Sequence, residues 1–190
     1  MHGNDTEQNQ DTERRNVILV GYMGTGKTSV GRKIADSLGF QFVDTDEVIE
    51  RMAGKSIPTI FEERGEPAFR DLETKALNSA AAGIDQVIST GGGIVMRDEN
   101  RKILDESGYC IWLRASADAI FRRVSTNNHR PLLKTENPRA TIDNMLRERE
   151  PRYRAVADLE IKTDGLSIDE VAYGVCESAR VHFAHDSGCS

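Results

Sequence analysis

The chain has 190 residues, a hydrophobic fraction of 38% and a formal net charge of −6 from 25 basic and 31 acidic residues. That length fits one domain with a real core. The acidic balance argues against a nucleic-acid-binding surface, and no window approaches the roughly 18 to 20 uninterrupted apolar residues that a bilayer span requires.

Residues 1–15, "MHGNDTEQNQDTERR", are polar and lack the apolar stretch of a secretory leader, so they read as a disordered tail. The folded domain is expected over 16–184, with 185–190 as a C-terminal tail. "NVILV", "FQFV", "QVIST" and "YCIWL" are short runs rich in β-branched or aromatic residues with turn or polar residues at their ends, and each predicts a buried strand. "DLEIKT" predicts a fifth. Between them, "KTSVGRKIADSLG" places Val30, Ile34, Ala35 and Leu38 at helical spacing and stops at Gly39. Similar patterns predict helices over 57–63, 67–82, 98–106, 117–123, 141–149 and 168–183. Alternating strands and helices imply βαβ units, hence an α/β fold with a parallel sheet covered on both faces. "STNNHRPLLKTENPR" is polar and proline-bordered, and predicts a mobile lid over about 125–138. Cys110, Cys176 and Cys189 lack metal-ligand spacing and read as reduced thiols in a cytoplasm.

"GYMGTGKT", residues 21–28, satisfies G-x-x-x-x-G-K-[ST] between a predicted strand and a predicted helix. Glycines turn the backbone N–H groups toward phosphate, and the helix N-terminus adds partial positive charge. Lys27 is expected to reach the β- and γ-phosphates of ATP and the Thr28 hydroxyl to meet Mg²⁺, with Gly24, Thr25, Gly26 and Ser29 completing the nucleotide loop. No Asn-Lys-x-Asp follows, which argues against a guanine-specific switch. In "FVDTDEVIE", Asp44 and Asp46 stand just past a strand end, where an open parallel sheet faces its ligand crevice. One can serve the metal and the other accept a hydroxyl proton; the alternative for Asp44 is capping of a helix that begins at Asp46.

Four further stretches occur in order: "GEPAFRDLE" with Arg70 and Glu73, "STGGGIV" with Gly91, Gly92 and Gly93, "RPLL" from Arg130, and "REREPRY" with Arg149, Pro151 and Tyr153. With the loop and "DTD" they resemble the shikimate kinase family over about 16–163. The resemblance implies a P-loop NTPase fold related to adenylate kinase: a five-stranded parallel sheet flanked by helices, a lid loop, and a small helical substrate-binding region over about 45–82. It implies ATP-dependent phosphorylation of the 3-hydroxyl of shikimate in chorismate and aromatic amino-acid biosynthesis, by a cytoplasmic monomer. It places Asp46 on the ring hydroxyls as base and Asp44 near Mg²⁺. Arg70 and Arg149 fall on the substrate carboxylate, with Gly91, Gly92 and Gly93 at the substrate. Arg123 falls on adenine, and Arg130 on the transferring phosphoryl group.

The residue chemistry agrees. Paired arginines replace the water of a bound carboxylate with charge-assisted bonds, and Glu73, three residues after Arg70 on a predicted helix, can orient its guanidinium. Of the 25 basic residues 18 are arginine, nine of them between Arg114 and Arg154, a density suited to receiving a small anion. Phe61 and Phe69 read as core residues, with substrate-pocket walls as the alternative. Arg152 stands where the family more often has an apolar residue, and "TDGLSIDE" lacks the basic and proline residues that border adenine in relatives. Another small-molecule kinase of the same build, or a silent nucleotide-binding relative, would also carry the loop. The arginine pair with the triple glycine argues against the first, and the presence of Lys27, Asp46 and Arg130 against the second.

Overall fold

The structure, a computed structural model, describes residues 15–125 and 137–186. Five strands, β1 (Val17–Val20), β2 (Gln41–Asp44), β3 (Gln86–Ser89), β4 (Tyr109–Arg114) and β5 (Leu159–Lys162), form one sheet ordered β2-β3-β1-β4-β5. Every neighbouring pair is parallel, as the alternation of elements predicts. The helices are α1 (Lys27–Leu38), α2 (Thr45–Ala53), α3 (Ile57–Ala81), α4 (Asp98–Ser107), α5 (Ala117–Ser125), α6 (Pro138–Val156) and α7 (Ile168–Asp186), with a 3₁₀ turn at Ile94–Met96 after β3.

Successive strand residues point to opposite faces, and both faces of this sheet are covered. Val17 and Leu19 pack with Val30 and Ile34 of α1 and Val171 and Val175 of α7, while Ile18 and Val20 pack with Leu77 of α3, Leu104 of α4 and Tyr153 of α6. Strand β4 divides likewise, sending Ile111 and Leu113 to the first cluster and Cys110 and Trp112 to the second. A strand buried on both sides has no place for a polar side chain, which explains the unbroken apolar runs. Cys110 and Cys176 are buried free thiols, and Cys189 lies outside the described residues.

Several bounds differ from the sequence reading. Helix α3 bends at Gly65, where φ 74° and ψ 175° leave the helical region, so it contains the two helices expected on either side of that point. Helix α2 enters the sequence reading only as the helix that Asp44 would cap; it begins at Thr45 rather than Asp46, and its buried face is only Thr45 and Ile49, too short a pattern to stand out. Helix α6 runs on to Val156 rather than ending at 149, because the turn after Pro151 is held by buried Tyr153 and Val156. Helix α7 extends through Asp186, past the expected boundary at 184. Phe69 is core at 6% exposure, whereas Phe61 stacks on it from outside at 39%. Most of the expected lid, residues 126–136, lies outside the described residues, Arg130 included. Among the described residues no helix is long and apolar enough to cross a membrane.

Asn16, fully buried at the start of β1, ties three connections together. Its amide donates to Gly83 O (2.9 Å) and Ser107 O (3.2 Å), and its Oδ1 accepts from the Gln86 N–H (3.1 Å). Asn16→Ala strands buried partners and should lower unfolding free energy by about 2–4 kcal/mol. Denaturant titration checks this, and a loss under about 0.5 kcal/mol would show that water replaces the amide.

Candidate active site

The loop after β1 takes backbone open to glycine: Gly21, Gly24 and Gly26 have φ of 142°, 77° and 98°. A Cβ on Gly21 would also lie 2.3 Å from Leu113 O. The Lys27 ammonium is buried and bridges its own loop, donating to Gly21 O (2.7 Å) and Tyr22 O (2.9 Å). Thr25 was expected at the nucleotide, but its hydroxyl turns inward and donates to Tyr22 O (2.8 Å). Its side chain closes the loop, while Gly24, Gly26, Lys27, Thr28 and Ser29 line a cavity of about 440 Å³.

Asp44, Asp46, Ser89, Thr90, Gly91 and Gly92 line the same cavity from the ends of β2 and β3. Parallel register sets Asp44 beside Ser89. Asp44 divides its oxygens: Oδ1 accepts the Asp46 N–H (3.0 Å) and caps α2, and Oδ2 accepts the Thr28 hydroxyl (2.9 Å). Of the two readings left open for Asp44, capping is the one observed, and the second oxygen faces the phosphate loop. Asp46 sits in the first turn of α2. Burial pushes its carboxyl up to about 6, with the Asp44 charge adding to the rise, Lys27 opposing it, and Glu73 and Glu50 contributing further.

Of the triple glycine, Gly91 and Gly92 line this cavity, while Gly93, Arg70 and Arg149 lie behind its wall. The Gly91 N–H donates to Thr45 Oγ1 (3.2 Å). A Cβ on Gly91 would stand 3.0 Å from Asp46 Oδ1 and 3.1 Å from Glu73 Oε1, and one on Gly93 would stand 2.2 Å from Arg70 Nη1. Glycine is required there by close approach: the Arg70 guanidinium occupies the space a Gly93 side chain would fill. Arg70 donates from Nη1 to Glu73 Oε2 (2.8 Å) and from Nε and Nη2 to Glu66 Oε1 (3.1 and 2.9 Å). Glu73 is 1% exposed; burial raises its carboxyl, and Arg70, Arg149 and Arg97 pull it back. Arg149 arrives from α6 and donates from Nη1 to Gly92 O (3.1 Å). The two arginines, 79 positions apart in sequence, thus meet one tripeptide.

Arg123 of α5 is fixed beside the loop by Gly24 O (3.1 Å), Thr163 Oγ1 (3.1 Å) and Thr163 O (2.9 Å). Sequence reasoning missed the Thr163 partnership, since nothing local links the two positions. It also missed Thr45 as the Gly91 acceptor and Ser89 and Thr90 as cavity walls; the signal was their place directly before the glycines at a strand end. Arg152 spends its charge on Glu148 O (2.8 Å), one turn back.

The description "Shikimate kinase" belongs to the family model that matches residues 23–180. The chain belongs to the shikimate kinase family. A shikimate kinase of Thermodesulfovibrio yellowstonii is 49% identical over 83% of this chain and 91% of its own. One of a Marinomonas species is 48% identical over 88% and 93%. A solved structure, shikimate kinase from Acinetobacter baumannii in complex with shikimate, superimposes with a TM-score of 0.85 at 37% identity, covering 90% of this chain and 95% of that one. The five-stranded parallel P-loop fold is therefore the family's own.

Gly93→Ala should push the Arg70 guanidinium off Glu73, leaving a buried carboxylate unpaired at a cost of about 1–3 kcal/mol. In an Arg70→Ala background the same substitution should cost far less, because the clash is gone. Equal losses in both backgrounds, by denaturant unfolding, would show that Gly93 serves the turn and not the arginine.

Proposed function

We infer that the chain transfers the γ-phosphoryl group of ATP to the 3-hydroxyl of shikimate, giving shikimate 3-phosphate and ADP in chorismate and aromatic amino-acid biosynthesis. One observation carries the reading. Asp46 lines the cavity of Lys27 and Thr28, while its Oδ1 abuts Gly91, the first residue of the turn that Arg149 bonds at Gly92 O and Arg70 lies against at Gly93. A phosphate-holding half and an anion-recognising half share one carboxylate.

Each residue then has a task. Lys27 supplies positive charge to the β- and γ-phosphates, and loop N–H groups cradle them. Arg70, held by Glu73, and Arg149 take the shikimate carboxylate with the backbone of Gly91, Gly92 and Gly93 beside the ring. Asp46 orients the 3-hydroxyl and accepts its proton as the new P–O bond forms and the bond to ADP breaks. Arg123 forms a fixed shelf for adenine, and Arg130 covers the transferring group. The reading extends to a cytoplasmic monomer, as the family resemblance implies.

Thr28, Asp44 and Ser89 offer only hydroxyl and carboxylate oxygens, with Thr28 Oγ1 3.5 Å from Ser89 Oγ, a donor set suited to a hard cation such as Mg²⁺. Among the described residues no cluster of three or more His, Cys, Asp or Glu could hold a metal, which fits a cation that arrives with phosphates and keeps several waters. When bound, Mg²⁺ would supply neutralisation of phosphate charge.

ADP release measured in parallel with shikimate, gluconate and AMP tests the acceptor: shikimate alone should support turnover, and turnover with AMP or gluconate alone would overturn the reading. The acid limb of the pH profile tests Asp46. It accepts a proton only when ionised and its carboxyl is raised to about 6, so kcat/KM for shikimate should rise with pH, reach half its plateau near pH 6 and flatten above. Asp46→Asn should lose about a hundredfold or more in kcat and lose that limb. A limb unchanged in Asp46→Asn would place the base elsewhere.

A further inference from the structure

Gly92 O accepts two bonds, from Arg149 Nη1 and from the Tyr153 hydroxyl. The donors stand four residues apart on α6, hence on one helix face. Tyr153 is fully buried, its ring stacked on Trp112 with centroids 5.8 Å apart and planes 26° from parallel. Trp112 is itself flanked by the guanidinium groups of Arg114 (5.5 Å) and Arg154 (5.8 Å). The phenol is therefore anchored to the sheet, whereas the peptide it touches joins two glycines and has the greatest torsional freedom a chain allows.

We propose that Tyr153 is a positioning residue for the phosphoryl acceptor: its hydroxyl pins the Gly92–Gly93 peptide and so aligns both Arg149 and Arg70. The peptide is planar and trans, so holding the Gly92 carbonyl toward α6 turns the Gly93 N–H away from it. Gly93 is the residue against which Arg70 Nη1 rests, and Gly92 O is the acceptor that orients Arg149, whose buried Nε has no hydrogen-bond partner among the described residues. Rotation of this one peptide would displace both guanidinium groups. A phenol serving only the core would satisfy its hydroxyl on any carbonyl; this one shares its carbonyl with an acceptor arginine.

The inference rests on the assignment of Arg70 and Arg149 to the acceptor carboxylate. Tyr153→Phe removes one oxygen and keeps the ring on Trp112. It should raise KM for shikimate about three- to tenfold, the worth of one hydrogen bond, and leave KM for ATP unchanged. Tyr109→Phe is the control: Tyr109 is likewise buried, its hydroxyl 2.7 Å from Ser178 Oγ within the α1/α7-facing cluster. It should lower the melting temperature comparably without altering shikimate KM. The Arg149→Lys and Tyr153→Phe losses should be non-additive, because both act on one carbonyl. An unchanged shikimate KM in Tyr153→Phe overturns the proposal, as do a parallel rise for ATP, additive losses, or a Tyr153→Phe protein that fails to fold while Tyr109→Phe folds. If Arg149→Lys itself leaves shikimate KM unchanged, the acceptor assignment fails first.

Discussion

Because β1 lies between β3 and β4 with both faces buried, its peptide groups are committed to its neighbours and its side chains to the core. Polar chemistry can begin only where the strands stop. Parallel pairing makes β1, β2 and β3 stop together, so Gly21, Asp44 and Thr90 emerge side by side although they are far apart in sequence. The rest of the site follows from that edge: the phosphate loop from β1, the paired aspartates from β2, the glycine turn from β3. The helices α3 and α6 then need only bring one arginine each.

The same edge explains why two buried carboxylates behave differently. Glu73 is almost wholly enclosed but lies against Arg70, with Arg149 and Arg97 near enough to pull its carboxyl down. Asp46 is less enclosed, yet it faces the Asp44 charge and has only Lys27 to oppose it. One carboxylate is thereby tied to the guanidinium it aims. The other is left close enough to neutrality to take up a proton.

Strand positions and the phosphate loop were legible in sequence because each is written in consecutive residues: an unbroken apolar run for burial on two faces, then glycines and a lysine at fixed spacing. The candidate acceptor residues were legible as a set through the family resemblance, and Arg70 with Glu73 also through helical spacing. What stayed hidden depends on contacts between distant segments. Thr163 behind Arg123, Thr45 beneath Gly91 and Tyr153 beneath Gly92 need the fold before they have partners. Thr25, expected in the nucleotide loop, gives its hydroxyl to the carbonyl of Tyr22, a partner that its place in the motif does not announce. Helix α6 ran past Pro151 because tertiary burial of Tyr153 and Val156 outweighed a local stop signal.

Trp112 is the chain's single tryptophan, 2% exposed and stacked on the tyrosine that holds the glycine turn. Its indole is shielded from water and flanked by Arg114 and Arg154. The protein therefore contains its own optical gauge: one indole among four tyrosines, in an asymmetric setting, whose red-edge emission reports on the seam between β4 and α6.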